Sequence, residues 1–333
     1  MATILDVAKR AGVSIATVSR YFNQGYVSRE SERKISRAVK ELDYKINPIA
    51  RALMKKSSKM TGLILPSITN PFFPELAKAV EYEIHQAGHR LLICNSEGSP
   101  VKEAEFISAL KAIHADGIIT ATGNCAKVYA REKIPVVSID RRLEGSFIHV
   151  VSDNREGARL AARELIEKGC RHIVFVGPAP ALECIKLRME GFLEETVRHP
   201  EVVTQIAEIE DNDDLPLPAS FYSRIRKCDG IMAWNDMTAV RILRMLYNHG
   251  IRVPRDMLLV GFDDIDISRD FIPAITTVRQ EIYRMGSLAA RALLRKIEKK
   301  TEDEEEEEDI ILEVSLIVRE TTQREDGVGD KRR

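Results

Sequence analysis

The sequence predicts an α/β protein in which a small domain of three helices precedes a core of two doubly wound parallel-sheet subdomains. Three observations predict this fold class. Residues 1–44 carry only helical patterns, the chain from Met60 onward alternates short apolar strands with amphipathic helices, and this alternation breaks once, near Val150–Glu156. Strands joined by helices form right-handed crossover units, whose parallel sheet is covered on both faces.

Residues Ile4–Asn23 predict two short helices joined by a tight turn. Gly12 stands where the turn needs a residue with little steric restriction. Thr3 with Asp6 makes a capping box for the first helix, and Ser14 can cap the second. A helix-turn-helix of this kind lays its second helix in the major groove of DNA.

A third helix is predicted from Ser28 to about Leu42, and Asn47 with Pro48 then opens a further helical segment, IARALMKK. Asn caps helices well and Pro suits the first helical position. The segment is too short to be a stable helix alone, so it either links domains passively or folds on contact with a partner. The residues spaced to face the small helical core are Val7, Ala8, Ala11, Val13, Val18, Val27, Ile35, Val39 and Leu42.

Charge is unevenly distributed along the chain. Residues 1–57 hold twelve Lys and Arg against five Asp and Glu, whereas the 333 residues together balance to -1. A basic front end on an acidic body indicates a polyanion partner for the front end. The alternative is that short helical segments are often rich in Lys and Arg without binding nucleic acid.

The core pattern places strands at TGLILP, RLLICNS, DGIITAT, IPVVSID, HIVFVG, DGIMAWN and MLLVGFDD, with a final extended segment, DIILEVSLIVRET. The helices between them are predicted at PELAKAVEYEIHQAG, VKEAEFISALKAI, Glu156–Lys168, LRMEGFLEET, MTAVRILRMLYNHG and YRMGSLAARALLRKIEK, and NPFF is predicted to be a loop. The acidic run Glu302–Asp309 reads as a solvated loop or, alternatively, an acidic docking site. The polar tail from Gln323 onward is predicted to be disordered.

The sequence lacks the motifs that are typical of several classes of function. The five cysteines form no C-x-x-C pair, which fits a reducing cytoplasm, and no signal peptide or membrane-length apolar run is present. Phosphate-binding glycine loops, zinc-protease motifs and a nucleophile paired with a base are also missing, so we expect no enzyme, no metal and no cofactor. Asp263, Asp264 and Asp266 follow an apolar strand, where they could hold Mg²⁺ or bind a hydroxylated ligand.

The chain to about Thr322 resembles the lactose-repressor (LacI/GalR) family. The likeness rests on DVAKRAGVSIATVSRYFN, on YKINPIARALMKK, and on ITNPFF, SIDRR, RMEGF, WND and VGFDD in the core. The first motif is highly specific, whereas sugar-binding proteins and repressors share the core motifs. The resemblance is strongest to ribose- or sucrose-operon repressors. It implies a periplasmic-binding-protein-like core and a homodimeric repressor of a carbohydrate operon, controlled by a small sugar or sugar phosphate.

The resemblance also implies domain boundaries. The helix-turn-helix domain is expected at 1–46, the hinge helix and linker at 47–58, and the effector-binding and dimerisation core at 59–322. Subdomain one is expected at about 59–155 plus the late helix near 284–300, subdomain two at about 156–283, with 309–322 crossing back and 323–333 as a disordered tail.

By position, the resemblance carries over the residues that contact operator DNA. Ile15, Ala16 and Arg20 match the base-reading positions, and Arg20 can fork onto guanine O6 and N7. The apolar Ile15 and Ala16 can touch a thymine methyl, which predicts an apolar step in each half-site. Leu53 matches the residue that wedges into the minor groove and kinks DNA. The remaining predicted DNA contacts are Thr3, Ser14, Thr17, Ser19, Asn23, Asn47, Ala50 and Arg51.

An effector is expected between the two core subdomains, outside the carboxyl ends of the strands. Phe72 and Phe73 would supply flat apolar faces for a sugar. The polar set carried over from pentose-binding relatives is Asn70, Asp140, Arg141, Arg188, Asn235, Asp236, Asp263 and Gln280. One departure weakens ring stacking from one side, because Glu210, Asp211 and Asn212 stand where relatives often place an aromatic residue.

Three functions therefore compete: a sugar-controlled repressor, a sugar-binding module without DNA function, and an enzyme on an α/β scaffold. The basic front end and the missing signal peptide favour the repressor. Neither the direction of control, release or tightening of DNA, nor the involvement of a phosphocarrier protein follows from the sequence.

Overall fold

The computed structural model describes residues 2–23, 25–44, 58–131, 134–210, 216–218, 220–298 and 309–324. The chain forms two compact units, residues 1–58 and residues 59–333. The predicted hinge from Asn47 to residue 57, most of the acidic run and the tail after Arg324 lie outside the described residues.

The first unit contains three helices, as the sequence predicts: α1 (Ile4–Ala11), α2 (Ile15–Phe22) and α3 (Arg29–Glu41). The predicted capping box is present, because Thr3 Oγ1 accepts from the Asp6 backbone N–H at 3.3 Å and the Asp6 carboxylate accepts from the Thr3 N–H at 2.8 Å. Gly12 ends α1 at φ +66°, in the left-handed region that glycine enters freely. The buried core consists of Val7, Ala8, Ala11, Val18, Ile35 and Ala38.

The second unit alternates strands and helices. Its described helices are α4 (Phe72–Gln86), α5 (Pro100–Ala112), α6 (Ala126–Arg131), α7 (Asn154–Glu167), α8 (Glu183–Thr196), α9 (Phe221–Ile225), α10 (Asp236–Asn248), α11 (Asp266–Asp270) and α12 (Ile282–Glu298). Its strands are β1 (Met60–Leu65), β2 (Arg90–Asn95), β3 (Gly117–Thr120), β4 (Val136–Ile139), β5 (Ile148–Ser152), β6 (His172–Pro178), β7 (Val203–Ile209), β8 (Gly230–Ala233), β9 (Leu258–Asp263), β10 (Thr276–Arg279), β11 (Ile310–Leu312) and β12 (Ser315–Ile317).

The strands form two six-stranded sheets, in the orders β11-β5-β4-β3-β1-β2 and β12-β10-β9-β8-β6-β7. All pairings are parallel except that of β12 with β10. Alternate residues of β1 show that helices cover both faces of the first sheet. Leu63 and Leu65 pack against α4 and α12, whereas Ile64 packs with α5 and α6 on the other face. In the second sheet, α7 and α8 cover one face and α9 and α10 the other.

The chain passes between the sheets three times, from β5 into α7, from β10 into α12 and from β11 into β12. These crossings bring the carboxyl ends of both sets of parallel strands to a common cleft. In doubly wound proteins ligands bind at such strand ends.

The structure corrects two local predictions, divides a third segment into two strands, and adds short elements that were not predicted. NPFF is not wholly a loop, because Phe72 and Phe73 begin α4 and bury their rings in the core, 3% and 7% exposed. The predicted break near Val150–Glu156 contains a fully buried strand, β5, and the start of α7. The final extended segment divides into β11 and β12, one in each sheet. The short elements α6, α9, α11 and β10 were not predicted.

Candidate effector cavity and DNA-reading helix

A cavity of about 470 Å³ lies at the carboxyl ends of the strands of both sheets. This volume is within the range typical of small-molecule sites. Nine of the predicted effector residues line it: Asn70, Phe72, Phe73, Asp140, Arg141, Arg188, Asn235, Asp263 and Gln280. Each follows a strand or projects from a helix that starts at the cleft, so the topology brings together residues that are far apart in sequence.

The loop after β1 forms one wall of the cavity. Ser67 Oγ accepts from the Thr69 and Asn70 backbone N–H groups at 3.1 and 3.2 Å, and Asn70 Oδ1 accepts from the Phe72 N–H at 3.1 Å. These bonds close a compact turn directly before α4. The Phe72 and Phe73 rings then meet edge to face, with their centroids 5.1 Å apart, which fixes two apolar surfaces at the cavity.

Asp140 and Arg141 directly follow β4 and form a second wall. Asp140 adopts φ +61°, a conformation that side chains rarely take and that clusters at functional sites. Burial raises the pKa of Asp140, although the charges of Arg188 and Arg141 partly oppose this effect. The residue is therefore a desolvated carboxyl group placed between two guanidinium groups.

Arg188 projects from α8 and is 2% exposed. Its Nε donates to Asn154 Oδ1 at 2.8 Å, and its Nη1 donates to the Trp234 carbonyl at 2.6 Å. The guanidinium carbon also lies 3.7 Å from the centroid of the Phe262 ring. A planar cation held by stacking and hydrogen bonds at once has little rotational freedom, so Arg188 presents a fixed set of donors.

Asp263 ends β9 and Gln280 directly follows the adjacent strand β10, and Gln280 Nε2 donates to Asp263 Oδ1 at 2.7 Å. Asp263 and Asp264 both have positive φ, at +115° and +58°. Asp264 turns away from the cavity and pairs with Arg279 at 2.6 Å and with Arg319. Asp263 thus lines the cavity, whereas the neighbouring Asp264 holds the turn in place.

Asp236 departs from its prediction, because it is not among the residues that line the cavity. Its carboxyl group is fully buried, accepting from Thr277 Oγ1 at 2.6 Å and from the Ile265 N–H at 3.0 Å. A side chain at Gly261 would place its Cβ 2.1 Å from Asp236 Oδ1. Burial, together with the charge of Asp263, raises the pKa of Asp236 well above its ordinary value. Asp236 supports the cavity from behind by fixing the turn that follows β9.

The cavity also contains residues that the sequence reasoning missed. Trp234, the only tryptophan, lines it beside Asn235, which caps α10 by accepting from the Thr238 N–H at 2.8 Å. The other unpredicted lining residues are Pro66, Ser67, Ile68, Thr69, Asn95, Glu97 and Gly98. The sequence could have indicated that Trp234 lines the cavity, because it is an aromatic residue directly after a buried strand.

Several buried polar atoms around the cavity have no hydrogen-bond partner among the described residues. They are Asn95 Oδ1, Asp140 Oδ1, Arg141 Nε and Gln280 Oε1. Buried polar groups are nearly always satisfied in folded proteins, so a cluster of such atoms at one cavity indicates where a polar molecule binds. Donors and acceptors are both represented, as a polyhydroxylated ligand requires.

In the first unit, α2 exposes the residues predicted to read bases. Ile15 is 44% exposed, and Ala16 and Arg20 are exposed as well. Arg20 makes no side-chain hydrogen bond or ion pair within the described residues, which leaves its guanidinium group available to a partner. Ile15 therefore lies outside the buried core of this unit.

The other predicted DNA contacts in this unit have local partners. Ser14 Oγ accepts from the Thr17 N–H at 3.1 Å and lies 2.8 Å from Thr17 Oγ1, while Asn23 Nδ2 donates to the Ser19 carbonyl at 2.9 Å. Thr3 closes the capping box of α1. The predicted contacts Asn47, Ala50, Arg51 and Leu53 lie outside the described residues.

Two kinds of feature are absent from the described part of the chain. No group of three or more His, Cys, Asp and Glu side chains is arranged to hold a metal ion. None of the described helices combines the length and the apolar composition that crossing a membrane requires.

Comparison with known proteins places this architecture in a family. Residues 3–47 match the model for bacterial regulatory proteins of the lacI family, and residues 162–322 match that for a periplasmic binding protein-like domain. A ribose operon repressor from Halalkalibacterium halodurans is 38% identical over 327 residues, 97% of this chain and 98% of that protein. The chain belongs to the lacI family of bacterial regulatory proteins.

Two further relatives resemble the chain over most of its length. A sucrose operon repressor from Streptococcus mutans is 34% identical, over 96% of this chain and 99% of that protein. A crystal structure of a lacI-type regulator from Alkaliphilus metalliredigens, complexed with D-xylulofuranose, is 32% identical with a TM-score of 0.73. It covers 80% of this chain and the whole of that one. As a lacI-family member, this protein is a sequence-specific DNA-binding transcriptional regulator.

Proposed function

We propose that the protein represses a carbohydrate-utilisation operon and that a free sugar of the ribose type, bound in the cavity, controls its hold on DNA. The observation that carries the proposal is the cavity itself, where fixed guanidinium, carboxyl and amide groups face aromatic rings. Sugars present hydroxyl groups at their edges and apolar C–H faces, which need this combination. The ribose operon repressor and the xylulofuranose complex support a five-carbon effector.

The cavity charges favour a neutral sugar over a sugar phosphate. Asp140, Asp263 and Glu97 line the same space as Arg141 and Arg188. Arg188 already donates through two of its nitrogens to protein oxygens, and Arg141 Nε lies 3.8 Å from an Asp140 carboxylate oxygen. A phosphate dianion bound here would lie near carboxylates, and the two arginines are already engaged with protein groups. Its attraction to the arginines would therefore not offset the free-energy cost of removing the dianion from water.

We assign effector contacts to the nine predicted residues that line the cavity. Phe72, Phe73 and the unpredicted Trp234 face the apolar side of the sugar ring, and the polar residues bond to its hydroxyls. Asp236 acts indirectly, through the turn that carries Asp263.

The effector assignment is tested by thermal shift and calorimetry on the full chain. D-ribose is expected to raise the melting temperature, since a ligand that binds only the folded state stabilises it. Ribose 5-phosphate is expected to bind at least about tenfold more weakly, and Arg188→Met is expected to abolish the ribose shift. Lys186→Met, an exposed neighbour on α8, is the matched control and should respond like the wild type. Equal affinity for ribose and ribose 5-phosphate would contradict the neutral-sugar assignment.

On DNA, we propose that two copies of the chain bind a pseudo-palindromic operator, each placing α2 in the major groove. Arg20 would read a guanine, and Ile15 with Ala16 would contact thymine methyl groups. Phosphate contacts suit the four residues whose side chains already have local partners: Ser14, Thr17, Ser19 and Asn23. Such contacts position the protein on DNA without specifying the base sequence. We retain Leu53 as the minor-groove wedge of the hinge.

We further propose that the protein acts in the cytoplasm, where its DNA lies, and that it is not an enzyme. Supporting this, the matched relatives are named as operon repressors. Product analysis after prolonged incubation with ribose tests it, and turnover of the sugar would contradict it.

A further inference from the structure

The loop that follows β4 carries Asp140 and Arg141 into the cavity and then returns to the start of β5. Residues 140–147 contain no helix or strand, so their position depends on what holds them from outside. Backbone bonds and the buried Leu143 hold part of the loop, and a group of three side chains holds it as well: His149, Asp309 and Arg142. We call this group the loop clamp.

His149 begins the clamp from the second position of β5 and is 6% exposed. Its Nε2 lies 3.0 Å from the Leu143 carbonyl oxygen, in the returning part of the loop. Its Nδ1 lies 2.7 Å from Asp309 Oδ1, and its backbone N–H donates to the same oxygen at 3.2 Å. The ring therefore spans the distance between the loop and the residue that precedes β11.

Both ring nitrogens of His149 face oxygens that only accept hydrogen bonds. A peptide carbonyl has no proton to give, and an ionised carboxylate has none either. Burial acts to raise the pKa of Asp309, but its bonds and charge interactions with His149 and Arg142 outweigh burial and lower that pKa overall. Whichever ring nitrogen carries the proton, the His149 backbone N–H also donates to Asp309, so the contact between β5 and Asp309 does not depend on the ring alone.

Arg142 completes the clamp. Its Nη1 donates to the second oxygen of Asp309, and its Nε lies 3.4 Å from Glu183 Oε2, on the first residue of α8. Because α8 packs on the second sheet and Asp309 leads into the first, the clamp reaches both sides of the cleft. Arg188, the central cavity cation, projects from the same helix α8.

We propose that His149, Asp309 and Arg142 are positioning residues for the effector, acting through the loop that presents Asp140 and Arg141. The clamp fixes the loop against β5 and ties it to α8. This inference rests on the proposed function, in that the ligand of the cavity is taken to be ribose.

The first test reads the clamp directly, without any ligand. The protein contains seven histidines, and selective ¹⁵N-histidine labelling with a His149→Gln variant assigns the signal of His149. The ring N–H of His149 is expected to exchange slowly with water, because the ring is buried and both of its nitrogens lie against oxygens. Exchange is expected to be faster in Asp309→Asn, which removes the carboxylate charge but keeps the shape. A ring proton of the wild type that exchanges as fast as that of an exposed histidine would overturn the proposal.

The second test reads the consequence for binding. Asp309→Asn is expected to weaken ribose binding roughly tenfold, which corresponds to about 1.4 kcal/mol, with operator affinity in the absence of sugar unchanged. Glu144→Gln removes the same charge from an exposed residue of the same loop and should bind ribose like the wild type. If Asp309→Asn does not fold, Arg142→Gln serves instead. Wild-type ribose affinity in a folded clamp variant would overturn the positioning role.

The two proposals fail differently. A wild-type protein that binds no ribose contradicts the proposed function, whereas the exchange rate of the His149 ring proton still decides for or against the clamp.

Discussion

At the residue scale, the cavity brings a buried arginine into contact with buried polar and charged groups that would be hydrated separately in water. Arg188 is almost fully buried, yet each of its bonds is to an oxygen that is itself fixed: an Asn154 amide, a backbone carbonyl and, at 3.5 Å, the Asp263 carboxylate. Removing one partner of such a network leaves buried polar groups unsatisfied, at a cost of about 1–3 kcal/mol each. The rigidity of the site therefore follows from the same bonds that neutralise its charge.

Asp236 supplies a prediction about stability and pH. Its pKa in the folded protein is raised, so the folded state holds a proton that the unfolded state releases near the ordinary aspartate value. Stability contributed by this proton is lost as the pH rises from the ordinary pKa through the raised one. In Asp236→Asn the amide oxygen can accept from the Ile265 N–H and the amide nitrogen can donate to Thr277 Oγ1, and the side chain carries no charge at any pH.

We therefore expect Asp236→Asn to be more stable than the wild type at pH 7.5, with a stability difference that shrinks as the pH falls toward the ordinary aspartate pKa. Urea unfolding followed by the fluorescence of Trp234, the only tryptophan, measures the difference. Asp270→Asn, at an exposed position of α11, is the control and should show no pH-dependent gain. A stability difference between Asp236→Asn and wild type that does not grow with pH would contradict the raised pKa.

At the element scale, long amphipathic helices and their caps followed from the sequence, whereas short buried elements did not. The capping box of Thr3 and Asp6 uses only residues three apart, so local reasoning finds it. β10 has only four residues, three of them polar or charged, and it exists because β9 and β12 flank it. Helices α6, α9 and α11 have five or six residues, too few to show a period.

In the candidate site, too, some residues could be predicted from the sequence and others could not. Residues that carry a motif, such as Asn70, Arg188 and Asp263, were found because the resemblance supplied their positions. Glu97 was missed because it lies in a turn after β2 with no pattern of its own. The support role of Asp236 was not predictable either, because it depends on Gly261 leaving room for the carboxyl group in a neighbouring strand.

Helix α2 supplies a prediction about specificity. Arg20→Ala is expected to weaken binding to the preferred operator by about 1–3 kcal/mol and to abolish the guanine preference at one position of each half-site, since a bidentate contact is lost. Binding-site selection with the wild type should also show a thymine preference opposite Ile15. Arg33→Ala, an exposed arginine of α3, should leave base preferences unchanged. A selection profile for Arg20→Ala identical to that of the wild type would contradict base reading by this helix.

At the scale of the whole molecule, the account requires a free-energy coupling between the cavity and the DNA-binding unit. Such coupling is reciprocal: a sugar that changes operator affinity is itself bound with a correspondingly changed affinity when operator is present. Typical allosteric coupling amounts to about 1–3 kcal/mol, or roughly 5–150-fold in affinity. Salt dependence of operator binding reports the phosphate contacts separately, because counterion release makes affinity fall steeply with salt.

The most direct test measures operator affinity of the full chain by fluorescence anisotropy, with and without saturating D-ribose, at fixed salt. The account predicts a change of at least about fivefold in the wild type and no change in Arg188→Met, whose operator affinity without sugar should match that of the wild type. A wild-type protein that binds ribose in its cavity and holds its operator equally tightly with and without the sugar would contradict the account.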